Sequence, residues 1–108
     1  MLVSFVLSLL LGTAPMARQD QPALVSISDN AFRPATVEIA RQGTVRWTNN
    51  ADRDHTVTFP TLRTKDDKPL TSGNLKPGDR WSHTFPTAGE YSYRCDYIPR
   101  MQGKVVAK

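Results

Sequence analysis

The chain has a single cysteine among 108 residues, no run of lysine and arginine, and no apolar segment long enough to cross a bilayer as a helix. Each shortage excludes something. One thiol forms no internal disulfide, so a cystine-stapled scaffold is ruled out. The net charge is +4, but the cations are scattered, which argues against nucleic-acid binding and fits ordinary solubility with weak docking to an acidic partner. There are no paired carboxylates, no nucleophile beside a base and no glycine-rich phosphate loop, so nothing in the chain points to an enzyme.

The first residues differ in character from the rest. Met1 to Leu11 is uncharged and dominated by Leu, Val and Phe, which suits the apolar region of a signal peptide and is too short for a transmembrane helix. Residues 1–22 are therefore expected to be an export signal, with a cleavage site left open because Pro15 disfavours the cuts suggested by Gly12-Thr-Ala14 and Ala17. The remainder, 23–108, is expected to be one domain, periplasmic or otherwise exported, monomeric, and not inserted in a membrane.

From Ala23 onward, Pro, Gly and Asn/Asp interrupt the chain about every ten residues, and alternating or β-branched runs fill the gaps. This spacing predicts strands at Leu24–Ser28, Thr36–Ile39, Thr44–Thr48, His55–Phe59, Trp81–Phe85, Tyr91–Cys95 and Lys104–Ala107. The stretch from Pro60 to Asn74 reads as surface loop with room for one poor edge strand. Trp81–Phe85 and Tyr91–Cys95, separated by a Gly-containing segment, are expected to form a hairpin. Short strands at this spacing describe an all-β, two-sheet antiparallel sandwich.

Within that frame the lone thiol matters, because in an oxidising compartment it is a liability unless its sulfur is used. Metal ligation and an inert buried thiol are the two readings. Cys95 ends a strand, Met101 follows six residues later with Pro99 between them, and His55 opens an earlier strand. Singly, Met101 reads as a core gap-filler and His55 as a surface or capping histidine. Jointly, thiolate, thioether and imidazole form a soft donor set that selects copper over magnesium or calcium.

The segments Phe32-Arg-Pro-Ala-Thr-Val-Glu-Ile, Gly43-Thr-Val-Arg-Trp-Thr-Asn-Asn, His55-Thr-Val-Thr-Phe and Gly89-Glu-Tyr-Ser-Tyr-Arg-Cys-Asp-Tyr-Ile-Pro-Arg-Met-Gln-Gly-Lys-Val-Val carry a further signal. Through them the chain, from about Ala23 to Lys108, resembles a cupredoxin of the plastocyanin, pseudoazurin and amicyanin type. The resemblance implies a Greek-key β-sandwich, a type 1 copper and electron shuttling between a redox protein donor and acceptor. It matches His55, Cys95 and Met101 to the first imidazole, the thiolate and the axial thioether. The departure is Ile98, which stands where the family pattern carries its second histidine, the copper ligand whose exposed edge is the electron route.

His83 does not replace that imidazole on this reading. In the expected hairpin it faces Tyr93, about 7 Å along the sheet from Cys95, against a metal–nitrogen bond of about 2.0 Å. Three functions remain in play: a blue-copper-type electron carrier with an incomplete ligand set, a Cu(I)-binding or copper-handling module, and a metal-free interaction domain that keeps the sandwich.

Overall fold

In Thr44–Asn49 every second residue, Val45, Trp47 and Asn49, is buried while Thr44, Arg46 and Thr48 face outward. A pleated strand does this when one face is covered and the other meets water. The computed structural model describes residues 21–108, and the expected export signal falls largely outside them. Among the described residues nine strands follow in chain order: β1 Ala23–Ile27, β2 Phe32–Arg33, β3 Thr36–Ile39, β4 Thr44–Asn49, β5 Thr58–Arg63, β6 Pro69–Thr71, β7 Arg80–Thr84, β8 Gly89–Arg94 and β9 Gln102–Ala107. Among the described residues there is no helix long and apolar enough to cross a membrane.

The strands form a sandwich of two sheets, ordered β3-β9-β8-β5-β6 and β2-β1-β4-β7. Most pairs are antiparallel, and each sheet also contains one parallel pair, β9 with β3 and β1 with β4. Those parallel neighbours are non-consecutive strands brought together by chain crossings between the sheets.

The expected hairpin between Trp81–Phe85 and Tyr91–Cys95 does not form. β7 pairs with β4 in one sheet, with Trp81 opposite Trp47 and His83 opposite Val45. β8 pairs with β9 and β5 in the other. The segment Pro86–Ala88 crosses from sheet to sheet, and a turn-rich linker has the same composition whether the chain folds back or crosses over. The fourth strand also begins later than expected, at Thr58, and runs on to Arg63, where it turns back into the edge strand β6. His55 sits ahead of it in an isolated bridge to Leu75.

Between the sheets lies an aromatic core. Trp47 meets Phe59 and Tyr93 edge to face at centroid distances of 5.8 and 5.4 Å, and Phe32 meets Tyr93 at 4.7 Å. Removing one such ring costs about 3–5 kcal/mol, so a few aromatics fix how the sheets stack. Tyr93 lies across Gly103, its register partner on β9, where a Cβ would run into the phenol ring and hydroxyl. Burial pushes the Tyr93 phenol up to about 12, with the Trp47 indole N–H acting weakly the other way. That contact falls short of a well-formed hydrogen bond, since Trp47 Nε1 and Tyr93 Oη are both buried without one.

Candidate metal centre

Three segments meet at one end of the sandwich, and main-chain hydrogen bonds explain why. β8 stops at Arg94, paired with Gln102 at the start of β9, so Cys95 to Met101 is the loop that joins two adjacent strands. The loop is tightened from within: Cys95 N–H donates to Met101 O at 3.0 Å, and Met101 N–H donates to Ile98 O at 2.8 Å. Both sulfur-bearing side chains are buried there.

His55 arrives from the opposite side. Its N–H donates to Leu75 O at 3.0 Å and Leu75 N–H donates to His55 O at 2.8 Å. Buried Asn49, at the end of β4, braces the same place by donating from Nδ2 to Leu75 O and to Arg53 O, both at 2.9 Å. The residues that follow the imidazole and the thiol then clasp each other. Asp96 N–H donates to Thr56 Oγ1 at 2.8 Å, and Asp96 Oδ2 accepts from Thr56 Oγ1 at 3.1 Å and from Thr58 Oγ1 at 2.7 Å. A carboxylate and two hydroxyls thus pin the His55 segment to the Cys95 segment.

The result is a close approach of two donors, with His55 Nδ1 3.5 Å from Cys95 Sγ and both residues fully buried. Bonds to one soft ion of about 2.0 Å from nitrogen and 2.3 Å from sulfur close over that span at an angle of about 110°. The donor pair therefore fits a tetrahedral or flattened soft-metal site. Burial lowers the His55 pKa, opposed by Asp29 and Asp54, which leaves the ring neutral with a lone pair at neutral pH. The other ring nitrogen, Nε2, is buried with no partner among the described residues, whereas ligating histidines usually donate from that atom.

Ile98 contributes no donor from its side chain, which is half-buried against the core. Its neighbour Tyr97 is exposed, and its hydroxyl donates to Asn74 Oδ1 at 2.7 Å, while Asn74 Nδ2 donates to Asp54 Oδ2 at 2.8 Å. This surface strap ties the 95–101 loop to the segment preceding His55. His83 is elsewhere: on β7 it is stacked on Trp81 at 5.9 Å and meets Phe85 edge-on at 4.8 Å. The expected contact with Tyr93 is therefore replaced by a position between Trp81 and Phe85. Sequence reasoning missed Asn49, Thr56, Thr58 and Asp96. Two of these, Thr56 and Asp96, directly follow the expected donors, and that adjacency was the available signal.

This fold and this end of it define a class. Residues 1–107 match the family model described as a cupredoxin-like domain, and the chain belongs to that family. The chain is similar to the chloroplastic plastocyanin of Tetradesmus obliquus, 36% identical over 84 residues that cover 71% of this chain and 58% of that protein. The match thus spans less than two thirds of that relative. It is also similar to amicyanin of Paracoccus versutus, 32% identical over 98 residues covering 87% of this chain and 73% of the relative. Among solved structures, the reduced Cu(I) form of an amicyanin variant superposes with a TM-score of 0.74 at 29% identity, over 82% of this chain and 84% of the other. A purple cupredoxin from Nitrosopumilus maritimus superposes at 0.68 with 27% identity, over 80% and 99%.

Proposed function

We propose that this protein is an exported one-electron carrier whose copper is held by His55, Cys95 and Met101, with Ile98 leaving the set one imidazole short. The observation that carries the reading is the 3.5 Å approach of His55 Nδ1 to Cys95 Sγ at a fully buried position. Copper supplies one-electron exchange between Cu(I) and Cu(II). The chain's own part is to hold its donors in one arrangement through the Thr56–Asp96 clasp and the short 95–101 loop, so that little reorganises on electron transfer. An exported setting follows from the signal-like segment 1–22, and the function needs a redox protein as donor or acceptor and no catalytic step.

Ile98 favours a second reading. A set of one thiolate, one imidazole and one thioether satisfies low-coordinate Cu(I) better than Cu(II), which suits a copper-handling module. Anaerobic Cu(I) titration tests the ligand assignment, and oxidation of the copper-loaded protein separates the readings. Cys95→Ser should abolish binding at micromolar protein, His55→Ala should be nearly as damaging, and Met101→Leu should keep part of the affinity, because an axial thioether is long and weak. Methionine as the costliest loss sinks the assignment. Copper retained through reversible one-electron oxidation and reduction favours the carrier, and tight Cu(I) binding with release of the metal on oxidation favours the copper-handling module. Protein purified from its own host without bound metal would leave a metal-free interaction domain.

A further inference from the structure

The outer face of the β2-β1-β4-β7 sheet differs in composition from the other sheet, whose strands carry Glu38 and Glu90. Its four strands contain no Asp or Glu. Register places Arg33, Ser26, Thr48 and Arg80 in one row across all four strands. Alternation turns this row outward, because the flanking residues Phe32, Ile27 and Trp47 point into the core. The next row reads Leu24, Arg46 and Ser82. Arg33 and Arg80 therefore stand about 14 Å apart, three strand spacings, with Arg46 about 7 Å down the sheet between them.

The three guanidinium groups are unpaired: among the described residues none lies within ion-pair reach of a carboxylate, and Arg46 makes only a long contact of 3.4 Å to Ser82 Oγ. The opposite sheet differs. There Lys104 meets Glu90 at 3.2 Å, Lys108 meets Glu38 at 3.2 Å, and Arg94 meets Asp96 at 3.5 Å. The cations of the opposite sheet are thus compensated, whereas the three on this flat, hydroxyl-bearing face are not. That face also borders the candidate centre, because Thr48 in its upper row is followed by Asn49, whose amide braces the bridge that holds His55.

We infer that this face docks a carboxylate-rich surface of a partner protein, which, on the electron-carrier reading above, is the redox partner. Arginine forks grip carboxylates with two parallel hydrogen bonds, and short hydroxyl side chains between them allow close approach. Charge-steered encounters over a small footprint are the usual mode for transient redox pairs. Three cations are few for a nucleic-acid track, which engages a phosphate every few ångströms. Among the described residues Leu24 is the one large apolar side chain exposed on the face, too little for a lipid anchor.

The test is a nitrogen-15 amide titration of the full, metal-free protein with poly-L-glutamate at about 20 mM and 200 mM salt. Shifts should cluster on Ser26, Arg33, Arg46, Thr48, Arg80 and Ser82 and fade at the higher salt, where screening shortens to about 7–8 Å. Each single Arg→Gln change should weaken binding about two- to fivefold, and the triple Arg33→Gln, Arg46→Gln, Arg80→Gln should abolish it. Arg41→Gln, in the turn before β4, should leave it unchanged. Shifts centred elsewhere in the unsubstituted protein, or undiminished binding by the triple variant, overturn the inference. Tighter binding to phosphatidylglycerol vesicles or to duplex DNA than to poly-L-glutamate at equal salt overturns the choice of a protein partner. Copper titration of the same sample reads the centre separately. A protein that binds poly-L-glutamate on this face but takes up no copper refutes the electron carrier and leaves the acidic docking surface standing.

Discussion

Replacing Ile98 by histidine should move stability in opposite directions with and without metal. The Ile98 side chain is half-buried and packs against the core. Fully burying an isoleucine is worth about 1.5–3 kcal/mol, so exchanging a half-buried one for a polar ring should cost the metal-free protein about 1 kcal/mol. In a domain of this size that is a drop of roughly 4–8 °C in Tm. With copper the order should reverse, because the new imidazole joins His55 and Cys95 to complete the equatorial set. A ligand present at one hundred times its Kd adds about 2.7 kcal/mol, more than the loss. Differential scanning calorimetry of both proteins, with and without one equivalent of Cu(II), should therefore show the isoleucine form melting higher without metal and the histidine form melting higher with it. An intense thiolate-to-copper absorption should appear only in Ile98→His. Strong blue colour at one Cu(II) per chain in the unmodified protein would refute the reasoning, and so would a folded Ile98→His protein that stays colourless.

Other consequences are as direct. Thr56→Val removes the hydroxyl that serves both Asp96 N–H and Asp96 Oδ2, and leaving that main-chain donor unmet should cost about 1–3 kcal/mol, read as a lower urea midpoint with unchanged slope. Gly103→Ala should destabilise by about 1–3 kcal/mol, with loss of near-ultraviolet circular dichroism, because the added methyl meets the Tyr93 ring. Burial holds the His83 pKa below its ordinary value of 6.5, so the unfolded chain binds the proton more readily than the folded one. Its contribution should be complete above about pH 6.5 and be lost as pH falls through the lower folded value. The Tm of His83→Gln should accordingly fall less steeply than that of the parent between about pH 7 and pH 5.

How much of this was legible beforehand differs from segment to segment. Thr36–Ile39 was expected and found with the same bounds, and Thr44–Thr48 extends by one residue to Asn49. Alternation with a period of two is a local property, and burial of one face enforces it. The His55 segment reads in sequence as continuous strand, and the structure breaks it. Apolar alternation does not reveal that His55 pairs only with Leu75 while the ladder starts at Thr58.

Residue order alone determined that the protein is an all-β sandwich with one thiol, and it placed His55, Cys95, Ile98 and Met101 under scrutiny, because side-chain chemistry and short-range spacing are written in the chain. Only the tertiary structure decided that Trp81–Thr84 and Gly89–Arg94 lie in opposite sheets, since a crossover and a hairpin use the same turn residues and differ only in which partner each strand edge finds. It alone brought Thr56 to Asp96, 40 residues apart, and set His55 Nδ1 3.5 Å from Cys95 Sγ. It also gathered Arg33, Arg46 and Arg80 on one face. Contacts over such separations arise from the packing of two sheets around shared aromatics, a balance over the whole domain that no stretch of sequence contains.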